Sequence, residues 1–214
     1  MNVETTALIL SAASIGIIHT LFGPDHYIPF VALAKARNWT TYKMAVVTAL
    51  CGVGHVLGSV VLGLVGVVVG TAVFHLESIE SVRGDLAAWA LVAFGLVYTV
   101  WGLRRAKRRH PHATPSTSGA GRTTSVWAVF IIFVLGPCEP LIPLLIYPAA
   151  RNSWVDVIAV VLVFGTATIS TMIAAVVVLK LGISRIPVGP LERYAHAFAG
   201  AAITLCGVAI HLGL

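Results

Sequence analysis

Six long apolar runs, separated by short clusters of basic residues, leave this chain one solvent in which to fold, the lipid bilayer. A helix crosses the hydrocarbon core in about 20 apolar residues. Lipid offers no partner to a backbone N–H or C=O, so each run must satisfy its own hydrogen bonds and be helical. The runs predict spans at 5–36, 43–74, 86–103, 125–150, 154–180 and 191–213. Only 10% of the 214 residues are charged, where a soluble domain carries about a quarter, and no stretch is left over for a separate soluble domain. The opening residues MNVETTALIL lack the basic segment of a secretory signal and are expected to remain as part of the first span. Cys51, Cys138 and Cys206 all lie in apolar runs and form no Cys-x-x-Cys pair, which excludes a disulfide scaffold.

The basic residues orient the spans. Lys35, Arg37 and Lys43, then Arg104, Arg105, Lys107, Arg108, Arg109 and Arg122, then Lys180, Arg185 and Arg193 follow spans one, three and five; only Arg83 and Arg151 follow spans two and four. Twelve against two puts the first set in the cytoplasm and both termini outside, in a multi-pass protein of the inner (plasma) membrane. The net charge of +6 then reads as orientation and contact with anionic lipid, not nucleic-acid binding. The stretch RRAKRRHPHATPSTSGAGRTT (104–124) is basic, then rich in Pro, Ser, Thr and Gly, and is read as a flexible cytoplasmic linker between 1–103 and 125–214.

Those two halves echo each other. GPDHYIPF (23–30) and GPCEPLIPLL (136–145) each follow an apolar run, open on Gly-Pro and carry a second proline within seven residues. CGVGHVLGSVVLGLV (51–65) lies in register with FGTATISTMIAAVVV (164–178). The expected architecture is an all-α membrane protein of six helices, a 3+3 inverted repeat whose first and fourth helices are broken. Repeats of that kind place their sites near the midplane, where broken helices leave backbone groups open.

Two of the eight acids, Asp25 and Glu139, fall deep in apolar spans, and both follow the repeated Gly-Pro. Glu77, Glu80, Arg83 and Asp85 read as a solvated outer turn. A carboxylate at bilayer depth costs several kcal/mol and implies a partner or a watery cavity. His19, His26 and His55 are also intramembrane; Cys138 takes the slot of Asp25 in the second repeat, and Glu139 that of His26. Imidazole, thiolate and carboxylate together suit a borderline divalent ion such as nickel, cobalt, zinc or iron, and not magnesium or calcium. The expected metal ligands are therefore His19, Asp25, His26, His55, Cys138 and Glu139. His110 and His112 read as solvated spacer, and His196 and His211 have no assigned role. Trp39, Tyr42, Trp127 and Trp154 read as interfacial anchors.

HTLFGPDH (19–26) followed by Gly54-His55 resembles the NicO and NiCoT nickel/cobalt transporters, in which a first-span His…Asp-His motif is associated with metal. GPCEP (136–140) is similar to the proline-flanked cysteine motif of the CcdA/DsbD thiol–electron transporters. Those carriers rely on a cysteine in each half, and here the first-half position is Asp25. Both families belong to a broader LysE-like group. The expected function is a secondary transporter of a divalent transition metal, the ion being substrate, with no organic cofactor, no ATP-binding motif and no enzymatic step. The alternatives are a membrane thiol–disulfide electron carrier using Cys138 with Cys51, or an exporter of a small anion. Lipid and the metal ion are the expected partners, with homo-oligomerisation left open.

Overall fold

A computed structural model describes residues 3–69, 73–108, 120–136, 138, 140–184 and 189–212. Every element among them is helical: α1 (Val3–Phe22), a 3-10 turn (Pro24–His26), α2 (Ile28–Ala36), α3 (Thr41–Val69), α4 (Val73–Arg108), α5 (Ala120–Leu135), α6 (Leu141–Ala150), α7 (Trp154–Ser184), a second 3-10 turn (Gly189–Tyr194) and α8 (Ala195–His211). Five described segments are long and apolar enough to cross a membrane: Val3–Phe22, Thr41–Gly66, Ser78–Lys107, Trp154–Ser184 and Glu192–His211. The run at 125–150, expected as one broken span, forms the two shorter apolar helices α5 and α6. Leu57, Val61, Leu96, Val97, Leu162, Val178 and Leu205 all face outward, as on a surface that lipid tails cover.

Small residues hold the bundle together. Lipid removes the hydrophobic drive between helices, so close backbone approach has to supply the contact. α4 lies along α8, where a Cβ on Gly200 would sit 2.4 Å from the Thr99 nitrogen and one on Gly95 would sit 2.5 Å from the Thr204 nitrogen. α1 lies along α7, and a Cβ on Gly16 would sit 3.1 Å from the Phe164 carbonyl oxygen. Helices from the two halves of the chain thus pack against each other.

Both Gly-Pro pairs interrupt a helix. Proline has no N–H to continue the ladder, so α1 closes at Gly23, whose N–H reaches His19 O at 3.0 Å, and the chain makes one tight turn before α2. At the second break Gly136 N–H closes α5 onto Ile132 O at 2.9 Å, and α6 starts with Leu141 N–H on Cys138 O at 3.0 Å. α2 and α6 also end alike. Each runs out through Ala-Arg-Asn, with Asn38 at φ 51° and Asn152 at φ 54°, the left-handed conformation that stops a helix. Trp39 follows directly and Trp154 after Ser153. Trp154 and Trp127 are exposed as anchors should be, but Trp39 is buried beneath Lys43, whose Nζ lies 5.2 Å from its ring centroid. Its backbone carbonyl accepts from Lys180 Nζ at 2.7 Å, which ties the α2–α3 corner to the end of α7 and draws the ring inward.

The stretch around Glu80 corrects the sequence reading. The third span does not begin at 86, and Glu77–Asp85 is no solvated turn; the whole stretch is helix from Val73 onward. Glu80 is only 1% exposed; its carboxylate takes Arg83 Nη1 at 2.5 Å, while Arg83 Nη2 donates to Val134 O at 3.0 Å. Two opposite charges one helical turn apart neutralise each other, and the guanidinium also satisfies a carbonyl near the end of α5 that the break leaves without an intrahelical donor. At the other boundary α4 continues to Arg108 and α5 begins at Ala120, so regular helix takes both ends of the expected 104–124 linker. His110 and His112 lie outside the described residues.

Candidate metal centre

The turn between α1 and α2 delivers two histidines to one point. Had the helix been continuous, His19 and His26 would stand nearly two turns apart, about 10 Å along the axis. The turn at Gly23 brings their ring centroids to 4.8 Å, and His55, from the middle of α3, completes the group at 5.1 Å from His26 and 6.4 Å from His19. One nitrogen from each ring can be chosen so that all three lie within 4.8 Å of one another. His26 and His55 are buried and His19 is half-buried.

Hydrogen bonds decide which nitrogen each ring offers. His55 Nδ1 lies 3.2 Å from Phe133 O, and His26 Nδ1 lies 3.2 Å from Gly23 O and 3.2 Å from the Asp25 carboxylate. Carbonyl and carboxylate oxygens only accept, so both Nδ1 atoms must carry the proton. A neutral imidazole protonated at Nδ1 presents a lone pair at Nε2. The Nε2 atoms of His19, His26 and His55 are all buried and have no hydrogen-bond partner among the described residues. Buried ring nitrogens left unsatisfied cost about 1–3 kcal/mol each, and a cation placed between them would offset that for the two Nε2 acceptors of His26 and His55 and for His19 in the matching tautomer. Backbone and carboxylate partners that fix a ligand's tautomer and aim its ring are the usual outer support of a metal-binding histidine.

Gly23 is required by this packing: a Cβ there would stand 2.4 Å from His26 Nδ1. Gly136 leaves room on the other side, where a Cβ would come to 3.4 Å from His55 Nδ1. The group borders a cavity of about 500 Å³, lined by His19, Asp25 and His55 and, from α4, α5 and α8, by Leu91, Phe133 and Ile210.

The other expected ligands are arranged differently. Asp25 stands behind His26 and touches its Nδ1, so in this geometry it orients a ring and lines the cavity. Cys138 is fully buried in a cluster with Ala12, Val56, Leu141 and Phe164, and its backbone N–H donates to Ser59 Oγ at 3.1 Å. Glu139 lies outside the described residues. Cys51 belongs to a different cluster, with Phe30, Met44 and Cys206. Cys51 and Ser59, against which Cys138 docks, are eight residues apart on α3, about 12 Å along the axis. None of the three cysteines forms a disulfide. Sequence reasoning missed the Glu80–Arg83 pair, which abuts the same break: a Cβ on Gly58, one turn from His55, would meet both Val134 O and Arg83 Nη2. Its only mark in the sequence is the i, i+3 spacing of opposite charges beside an apolar run.

A family model described as the cytochrome c biogenesis protein transmembrane region matches residues 27–209. The chain belongs to that family. Membership supports the DsbD/CcdA-like side of the resemblance drawn from Gly136–Pro140 and carries nothing specific to nickel/cobalt transporters. At the level of function it favours the thiol–disulfide alternative over metal transport. The match takes in His55, Cys51 and Cys138, and it starts after His19, Asp25 and His26. No curated protein and no solved structure matches the chain.

Proposed function

We propose that this member of the family moves a divalent transition-metal cation, nickel or cobalt first, through the three-histidine group. The observation that carries the reading is the set of three buried Nε2 atoms without partners among the described residues, two of them on rings whose Nδ1 protons are held by carbonyl oxygens. Neutral imidazole nitrogens suit nickel, cobalt, zinc and iron, and Asp25 supplies a compensating charge behind the ring of His26. In this reading α5–α6 is the sixth crossing. The two broken helices, the repeated Ala-Arg-Asn ends of α2 and α6 and the opposed ends they reach (Arg151 pairs with Glu4, while Trp39 meets Lys180) support a 3+3 inverted repeat. Rocking of one repeat against the other would expose the histidines to each side in turn. The distribution of Lys and Arg supports an orientation with the Lys35, Arg105 and Lys180 end in the cytoplasm and both termini outside.

The test is metal binding to the purified protein, by calorimetry with nickel, cobalt and zinc and by elemental analysis with and without chelator. The parent should bind one ion per chain, and His26→Ala and His55→Ala should each lose at least tenfold in affinity while remaining folded. Equal affinity in both variants would overturn the site.

Family membership favours a second reading, a thiol–disulfide carrier in which Cys138 exchanges with Cys51. Two sulfurs that pair need Cα atoms within about 7 Å, and here the two cysteines sit in separate packing clusters. Thiol trapping in untreated membranes separates the readings. A Cys51–Cys138 disulfide, together with loss of function in either single serine variant, would replace the metal transporter by the electron carrier.

A further inference from the structure

A second cavity of about 440 Å³ opens between α2 and α8 at the basic end of the bundle, away from the three histidines. Three of its walls carry hydrogen-bond donors: Lys35 from the end of α2, Arg193 from the 3-10 turn before α8, and His196 from the first turn of α8. The rest is largely apolar, including Ile183 and Phe198, and Phe198 is 56% exposed on the outer face. Glu192 also lines it, so the charged side chains on its wall sum to one positive charge.

A relay behind the wall holds His196. Arg37 Nε donates to the Tyr98 hydroxyl at 3.2 Å, and the same hydroxyl lies 2.8 Å from His196 Nδ1, the direction of that bond following the tautomer of the ring. Trp101 packs edge-on against the same ring at 5.0 Å and helps hold it. The relay brings a third cation, Arg37, to within two hydrogen bonds of the cavity.

We infer that this cavity is a binding site for the phosphate of an anionic membrane phospholipid, with Lys35 and Arg193 as its donors and an acyl chain laid against Phe198 and Ile183. The cavity offers ammonium and guanidinium donors, and a ligand made only of acceptor oxygens satisfies them together. Its position at the end of apolar helices puts the donors where lipid phosphates lie. The apolar wall below them is what an acyl chain, unlike a free anion, would use. The site is independent of the metal reading, since no residue is shared with the three-histidine group.

Native mass spectrometry of the detergent-solubilised protein tests it, with dioleoyl phosphatidylglycerol and dioleoyl phosphatidylcholine as probes and inorganic phosphate as competitor. The parent should retain phosphatidylglycerol at least tenfold more tightly than phosphatidylcholine, and millimolar phosphate should not displace it. A basic residue near an anionic surface contributes a factor of about five, so Lys35→Gln with Arg193→Gln should weaken retention by roughly 25-fold. Arg104→Gln with Arg105→Gln removes two charges from the same end outside the cavity and should leave retention within about threefold of the parent. Equal losses in the two pairs would mean diffuse attraction and overturn the site, as would equal retention of the two lipids. Displacement by phosphate would identify a free anion as the ligand and overturn the lipid. Should the first pair fail to fold, Phe198→Glu puts a negative charge on an exposed wall position and should cut phosphatidylglycerol retention alone; unchanged retention would count against the inference.

Discussion

Gly23→Ala adds a single methyl group and bears directly on the three-histidine group. The backbone at Gly23 has φ −86° and ψ 95°, which alanine adopts without strain, so the effect is one of space. The new carbon would lie 2.4 Å from His26 Nδ1, 2.8 Å from Cε1 and 3.0 Å from an Asp25 carboxylate oxygen. An ordinary contact needs about 3.5 Å, so the ring must retreat by about 1 Å. Metal–ligand distances tolerate about 0.2 Å, and a retreat five times larger takes Nε2 out of range or turns the ring off its carbonyl. Loss of an orienting partner costs a metal site about 10- to 100-fold in affinity, or about 1.4–2.7 kcal/mol. Calorimetry with nickel in detergent should show a loss of that size, with the melting temperature of the apo protein checked in parallel. Gly182→Ala is the control, because a methyl there meets nothing within 4 Å. A folded Gly23→Ala protein binding nickel within twofold of the parent would refute the reasoning, as would an equal loss in Gly182→Ala.

Three more outcomes follow from the same geometry. Imidazole binds metal only when neutral, so affinity should fall as the solution is acidified; affinity unchanged down to the acid limit of the folded protein would remove histidine from the ligand set. Arg83→Met takes the guanidinium from the buried Glu80 carboxylate and should destabilise the protein, by up to about 3–5 kcal/mol in denaturant titrations, while Glu80→Gln with Arg83→Met should recover most of that. Cysteines introduced singly at Ser116 and at Leu214 of a cysteine-free protein should be labelled by impermeant reagent from the cytoplasmic and the outer side respectively; labelling from one side would refute the orientation.

The breaks were legible because Gly-Pro is a local instruction: proline withholds an N–H whatever surrounds it, and both interruptions fall where the dipeptides stand. The three histidines were legible as intramembrane polar residues. Their meeting was not, because it depends on the sharpness of the turn at Gly23 and on α3 being packed close by. Asp25 was placed among the ligands since sequence gives depth but not direction, and its carboxylate turns back to the adjacent ring. The Glu80–Arg83 pair escaped notice because charges beside a glycine read as a turn, and its link to Val134 O, 51 residues away from Arg83, is not written in the local sequence. The Ala-Arg-Asn ends of α2 and α6 were open to inspection in the sequence. They gain meaning once both asparagines prove to be left-handed.

The bond from His55 to Phe133 O crosses between the two halves of the chain: the ring rides on α3 and the carbonyl on α5. Sliding of one half past the other by even a couple of ångströms breaks that bond. The proton on Nδ1 then loses its anchor, and the ring can swing or exchange tautomer. In the proposed transport reading, grip on the ion and the position of the halves are therefore a single mechanical variable. An ion held by His55 resists the slide, and a slide driven from elsewhere loosens the ion at the moment a path opens. In such an arrangement release requires no separate trigger, because the same bond serves as clasp and as gauge.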